Sequence, residues 1–247
     1  MNHQSQSVQG YSIKPGDNFW RLAEKFNVPI HNLLAMNPGV NPYHLFIGQN
    51  IFIPIVQPAF MHSRNAECIS PAELELKSNM RSLWEEHVAW TRMAIISLIF
   101  NLPDVNEVLT RLLRNATDMG DLLKPLYGNQ LGDRFAELIK EHLLIAADFV
   151  KAALAGDQQA ASEAETKWYA NADEVSAFLS EINPFLSEKE FKQMFSTHLE
   201  LTKTEAVLMI NKEYQKDIEI YDEIEEQALM MGDMISDTIV KQFPNVF

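Results

Sequence analysis

The sequence predicts an α-dominated protein of two domains: a small β-α-α-β module over residues 10–54, then an all-α antiparallel helical bundle over residues 72–247. Three observations lead there. Charge divides the chain unevenly: residues 1–54 set Lys14, Arg21 and Lys25 against Asp17 and Glu24, and the remaining seventeen basic and thirty-two acidic residues leave the rest near −15. Residues 55–71, with Pro58, Pro71 and mixed small polar side chains, read as a linker. Beyond them apolar residues recur at helical spacing in long runs, punctuated by glycine and proline.

Residues 1–9 read as a disordered tail. Tyr11–Ile13 alternates as a short strand, and Pro15-Gly16 makes a turn. Asp17 or Asn18 can cap a helix carrying Phe19, Trp20, Leu22, Ala23 and Phe26. Ile30–Met36 is a second short helix, stopped by Asn37-Pro38-Gly39. Asn50–Ile53 alternates as a second strand, ended by Pro54. In a module this small and without a disulfide, Trp20 and Leu22 are needed for the core. The long helices follow. The first runs from Ala72 to about Asn101, before Pro103, and the second from Asp104 to Tyr127, before Gly128. The third covers Leu131–Ala155, before Gly156. Asp157 caps the fourth, which ends near Ile182 because Pro184 restricts Asn183. Ser187 with Glu190 forms a capping box for a last segment reaching Gln242. As one rod that segment would be about 80 Å long. Its apolar stripe also changes face, from Phe191, Met194, Phe195, Leu199 and Met209 to Ile210, Tyr214, Ile218, Tyr221, Ala228 and Ile235. A bend or break is therefore expected near Val207–Glu213.

Composition excludes several classes. The lone Cys68 rules out an internal disulfide and a cysteine-based zinc site. The apolar stretches are too short to span a bilayer, so membrane insertion is not expected. A strongly acidic bundle repels nucleic acid and suits, if anything, a protein partner. Residues 1–10 are polar with no basic-then-apolar segment after them, so no signal peptide is expected. There is no Cys-His or Ser-His motif, no carboxylate pair in a lysozyme-like context and no glycine-rich phosphate loop.

The N-terminal run Tyr11-Ser-Ile-Lys-Pro-Gly-Asp-Asn-Phe-Trp-Arg-Leu-Ala-Glu-Lys-Phe26, followed by Leu33-Leu-Ala-Met-Asn-Pro-Gly-Val40 and Leu45-Phe-Ile-Gly-Gln-Asn-Ile-Phe-Ile-Pro54, resembles a LysM module. Such modules bind N-acetylglucosamine-containing polymers such as peptidoglycan and chitin. The resemblance implies a sugar groove between the loop after the first strand and the loop before the second. Its matching positions are Gly16, Asp17, Asn18 and Phe19 on one side, and Asn41, Pro42, Tyr43, Leu45 and Ile47 on the other. Many such modules carry threonine where this chain has Asn18, which can still cap the helix and meet an acetamido group. A near-neutral module should hold an uncharged sugar backbone by hydrogen bonds and apolar contact. The helical remainder resembles uncharacterised bacterial bundle proteins. Spore-coat proteins that carry LysM modules without a signal peptide offer an analogy for location, so the chain is expected in the cytoplasm or at the spore coat or cell wall.

The helical part holds three histidines, each on a different helix and each in the middle of its apolar face. On a helical wheel, Leu83, Thr91, Ala94 and Leu98 lie within about 40° of His87. Phe135, Leu138, Ala146, Phe149 and Ala153 do so around His142, and Phe191, Met194, Thr202, Glu205 and Met209 around His198. Glu205 is a carboxylate in an apolar arc, costly unless paired. Two readings compete. In one, His87, His142, His198 and Glu205 bind a divalent metal in the bundle core, and the LysM module localises a metal-binding enzyme. In the other, the histidines form a buried hydrogen-bonded network with Thr91, Thr202, Glu205 or backbone, no cofactor is needed, and the bundle is structural or binds a partner. Asn115 and Asn171 read as ordinary polar groups at stripe edges. The favoured function is non-catalytic attachment to N-acetylglucosamine-containing glycan.

Overall fold

The computed structural model describes residues 8–26, 28–42, 45–54 and 69–247. The chain divides into two compact units, residues 1–68 and 69–247. In the first, the order is β1 (Val8–Ser12), α1 (Phe19–Lys25), α2 (Ile30–Ala35) and β2 (Asn50–Pro54). The strands pair antiparallel, with Val8 opposite Pro54 and Ser12 opposite Asn50. Strand β1 thus starts three residues before the expected Tyr11. Val8 and Gln9, expected in a disordered tail, are held by that ladder, which gives their backbone groups partners. Residues 1–7 of that tail, and residues 55–68 of the expected linker with Cys68 among them, lie outside the described residues.

Both helices pack on the sheet through Phe19, Leu22, Ala23, Val28, Leu33, Ile51 and Ile53, all buried with Ile13. Asn18 caps α1 by accepting from Arg21 N at 2.7 Å. Asn37 does more than stop a helix. Its amide donates to the carbonyls of Leu33 and Phe52 at 2.7 and 2.8 Å, and its oxygen accepts from Phe52 N at 2.7 Å. Phe52 turns those backbone groups away from β1, and the buried Asn37 side chain serves them as a third strand would.

The second unit has six helices among the described residues: α3 (Pro71–Ile99), α4 (Val105–Tyr127), α5 (Asn129–Ala155), α6 (Gln158–Ile182), α7 (Glu188–Ile210) and α8 (Tyr214–Gln242). Ser70 caps α3 by accepting from Glu73 N at 3.0 Å, and Pro71 takes the first turn, where its missing N–H costs nothing. Asp157 and Ser187 cap α6 and α7. The long last segment is interrupted after Ile210, and Lys212 has φ +62° in the turn before Tyr214.

Each helix packs on its neighbours in sequence, and α8 closes the ring on α3. Helices α3, α5 and α7 also touch one another. They form an inner trio, with α4, α6 and α8 seated in the grooves between them. Three αα-hairpins therefore surround one axis, and what lies mid-face on α3, α5 and α7 meets at that axis.

Candidate functional site

In the N-terminal unit the turn after β1 and the loop before β2 are neighbours because Ile13 holds both. Its N–H donates to Gln49 O and its carbonyl accepts from Gly48 N, each at 2.8 Å. This brings the loop carrying Phe46 and Ile47 beside the turn of Lys14–Asp17. Gly16 takes φ +82°, which glycine tolerates without strain. Asp17 Oδ2 accepts from the Tyr11 hydroxyl and from Lys14 N, both at 2.8 Å. Partial burial raises its pKa, but the Lys14 N–H, the Tyr11 hydroxyl and the charges of Lys25 and Lys14 outweigh that and hold it below the usual value.

The expected sugar contacts fall into three groups. Gly16, Asp17, Asn18, Asn41, Pro42, Leu45 and Ile47 are exposed or half-buried, and Ile47 is 72% exposed. Phe19 is 0% exposed, its ring packed in the core between helix and sheet. Tyr43 lies outside the described residues. The sequence reading missed Phe46, 67% exposed beside Ile47. In the turn closed by Gln49 N on Phe46 O it faces out.

A family model for the LysM domain matches residues 11–54. Residues 11–54 form a LysM domain. A γ-D-glutamyl-L-diamino acid endopeptidase 1 from Lysinibacillus sphaericus is 43% identical over 42 residues. That match covers 17% of this chain and 11% of the endopeptidase, so only a short segment of each corresponds to the other. No solved structure gives a significant match.

In the helical unit the three histidines meet at the axis of the inner trio. His87 of α3, His142 of α5 and His198 of α7 are all buried. One ring nitrogen from each lies within 4.8 Å of the other two. Their ring centroids are 6.2, 5.7 and 6.5 Å apart. Glu205, expected beside them, is not in this triangle. It stands two turns further along α7, 1% exposed, with Oε1 2.5 Å from Arg92 Nη1. Arg92 also forks onto Asp217 at 2.9 and 3.1 Å and lies over the Tyr221 ring. Glu205 therefore has its own counter-charge, which is what a buried carboxylate requires. Burial, opposed by Arg92, raises its pKa to about 7.

Each histidine has an amide behind it on the next helix, in one repeated arrangement. Asn171 Nδ2 donates to Leu138 O at 3.1 Å, which turns Oδ1 toward His142 Nδ1 at 3.2 Å. Gln227 Nε2 donates to Met194 O at 2.8 Å, which turns Oε1 toward His198 Nδ1 at 3.0 Å. Asn115 Nδ2 donates to Leu83 O at 2.9 Å, which turns Oδ1 toward His87. That last contact falls outside good geometry, leaving His87 Nδ1 and Asn115 Oδ1 both without a partner. In every case the carbonyl bonded is four residues before the histidine. At His142 and His198 the amide oxygen can only accept, so it fixes the proton on Nδ1 and leaves Nε2 as the ring's lone-pair nitrogen.

Asn115 and Asn171 are thus corrected from stripe-edge residues to buried partners of the centre, and Gln227 was missed. The signal is an internal repeat. The histidines recur after 55 and 56 residues, and the amides each follow by 28 or 29. The second helices read Asn115-Ala-Thr-Asp-Met-Gly120, Asn171-Ala-Asp-Glu-Val-Ser176 and Gln227-Ala-Leu-Met-Met-Gly232. The Thr91 and Thr202 hydroxyls bond the backbone carbonyls of His87 and His198 at 2.6 and 2.9 Å, not the rings.

Burial holds all three rings neutral. It is the main cause of a His87 pKa near 3, with His198 adding and Asn115 opposing, and of a His198 pKa near 4, with Gln227 opposing. His142 is also pushed well down, by burial and then by the other two histidines. Trp168 Nε1 is 3.1 Å from His142 Nδ1 and 3.2 Å from Nε2. In the ring plane such a position would overlap Cε1, so the indole N–H addresses the ring face and not either lone pair.

Proposed function

We propose that this protein attaches to N-acetylglucosamine-containing wall glycan, peptidoglycan in the first instance, through its LysM domain and does not cleave it. The observation that carries this is the LysM match over residues 11–54, on a module whose loops after β1 and before β2 are tied together at Ile13. Ile47, Phe46 and Leu45 would supply the apolar side of the groove. Gly16, Asp17, Asn18, Asn41 and Pro42 would supply the polar side and the turn that shapes it. With nearly balanced charge, the module meets the sugar without electrostatic help, so binding survives salt. The similar endopeptidase aligns with this chain over 42 residues at 43% identity, about the length of the LysM module. The bundle is then a cargo or scaffold domain, its acidic surface suited to a protein partner, and the chain works at the cell wall or spore coat.

The experiment is co-sedimentation of the full-length protein with insoluble peptidoglycan. Ile47→Asp puts a charge on an exposed position that the core does not use, so the fold should survive while retention falls at least ~10-fold. Retention unchanged in Ile47→Asp and in Phe46→Ala together would place the glycan elsewhere.

A further inference from the structure

We propose that His87, His142 and His198 bind one transition-metal ion through their Nε2 atoms, with a fourth position facing a small apolar cavity one helical turn along the axis. The proposal is independent of glycan binding. It stands on three features of the bundle core.

The first is convergence. Three αα-hairpins each deliver a histidine to one level of the axis, and one nitrogen from each already lies within 4.8 Å of the others. Nitrogens bound at ~2.0–2.1 Å around a tetrahedral ion stand about 3.3–3.4 Å apart, so the rings need to close by roughly an ångström. Among the described residues no hydrogen bond engages Nε2 of His87 or His198, and Trp168 leaves the His142 lone pair open.

The second is the repeated amide. A metal-bound histidine characteristically gives its other ring N–H to an oxygen acceptor, which fixes tautomer and orientation. Asn171 and Gln227 do this here, each locked by its own bond to a backbone carbonyl. Asn115 is set to do the same, and the unpartnered His87 Nδ1 and Asn115 Oδ1 need a small movement of His87 to pair. Without an ion, three lone-pair nitrogens would face one another across the axis, all acceptors with no donor among them.

The third is the adjoining cavity. It holds about 20 Å³, and the residues one turn beyond the histidines, Thr91, Ala146 and Thr202, line it with Ala94 and Ala206. That is room for one water-sized guest. Neutral imidazoles do not balance the charge of the ion, so the guest is a small ligand able to carry negative charge, hydroxide being the simplest. Imidazole donors without carboxylate or thiolate select zinc, copper or cobalt over magnesium and calcium.

The test uses the full-length protein, stripped with a chelator and then titrated with Co²⁺ and Zn²⁺. One ion should bind per chain, Co²⁺ should develop the visible bands of a four-coordinate nitrogen site, and the melting temperature should rise by about 5–10 °C at 100-fold excess over Kd. His142→Gln and His198→Gln should lose the ion and the shift, whereas His31→Gln in the other unit should keep both. Gln227→Leu should keep the stoichiometry and weaken affinity by about 10–100-fold, as expected of a positioning residue. If a histidine variant fails to fold, the wild-type spectrum and the Gln227→Leu affinity still decide. A stripped wild-type chain with no Co²⁺ bands and a melting temperature indifferent to both metals overturns the proposal, as does full metal retention by a folded His142→Gln.

Discussion

Gly120→Ala should destabilise the bundle even though it replaces glycine by the best helix former in the middle of a helix. Gly120 on α4 faces Gly132 on α5, and the two backbones approach there as closely as glycine allows. A methyl group at Gly120 would come within 2.7 Å of the Ala136 methyl and closer still to the Gly132 carbonyl oxygen. Neither can swing away as a long side chain would, so the helices must part by several tenths of an ångström or more. Overpacking of this kind costs up to ~3 kcal/mol, against about 1 kcal/mol gained in helix propensity. The net loss of ~2 kcal/mol corresponds to a drop of about 4–8 °C in a domain of this size. Calorimetry on the full-length protein would resolve it. An unchanged or higher melting temperature would mean that α4 and α5 do not meet at these glycines, and that Asn115 and His142 are not placed as described.

Two further predictions concern charge. Arg92→Leu strips the counter-charge from Glu205 and Asp217, both buried, and should cost ~3–5 kcal/mol in denaturant unfolding. The loss should be smaller at about pH 5 than at about pH 8, because a protonated Glu205 needs no partner. Acid should also weaken the bundle through its histidines. Their folded pKa values lie below the unfolded value of 6.5, so the unfolded chain takes up protons first. Stability is full above about pH 6.5 and falls as pH drops toward 4 and then 3. Melting temperatures that stay flat over that range would contradict neutral buried rings.

How much of this was legible in the sequence depends on how local the signal was. Caps, stops and stripes are local, so the long helices emerge within a few residues. The break before Tyr214 follows from a stripe that changes face. The central position of the three histidines follows from the same wheel. The partners across helices do not. Glu205 looked like a ligand because its neighbours on α7 were all that a wheel can show; Arg92, over a hundred residues away, explains it. Asn115, Asn171 and Gln227 are unremarkable on their own stripes and gain meaning through the repeat that places each behind a histidine. In the LysM domain, Phe19 stands in the stretch that the resemblance implies for sugar contact, yet its side chain is buried as the first apolar residue of α1. Asn37 reads as a helix stop, and its service to Phe52 requires the strand to be in place.

The proposed binding of wall glycan belongs to the N-terminal module alone. Its most direct test separates a fragment of residues 1–56 from one of residues 72–247 and sediments each with insoluble peptidoglycan. The first should be carried down, with retention little changed between about 0.05 and 0.5 M salt, and the second should stay in solution. Retention by the helical fragment alone, or release of the first fragment in moderate salt, would contradict it.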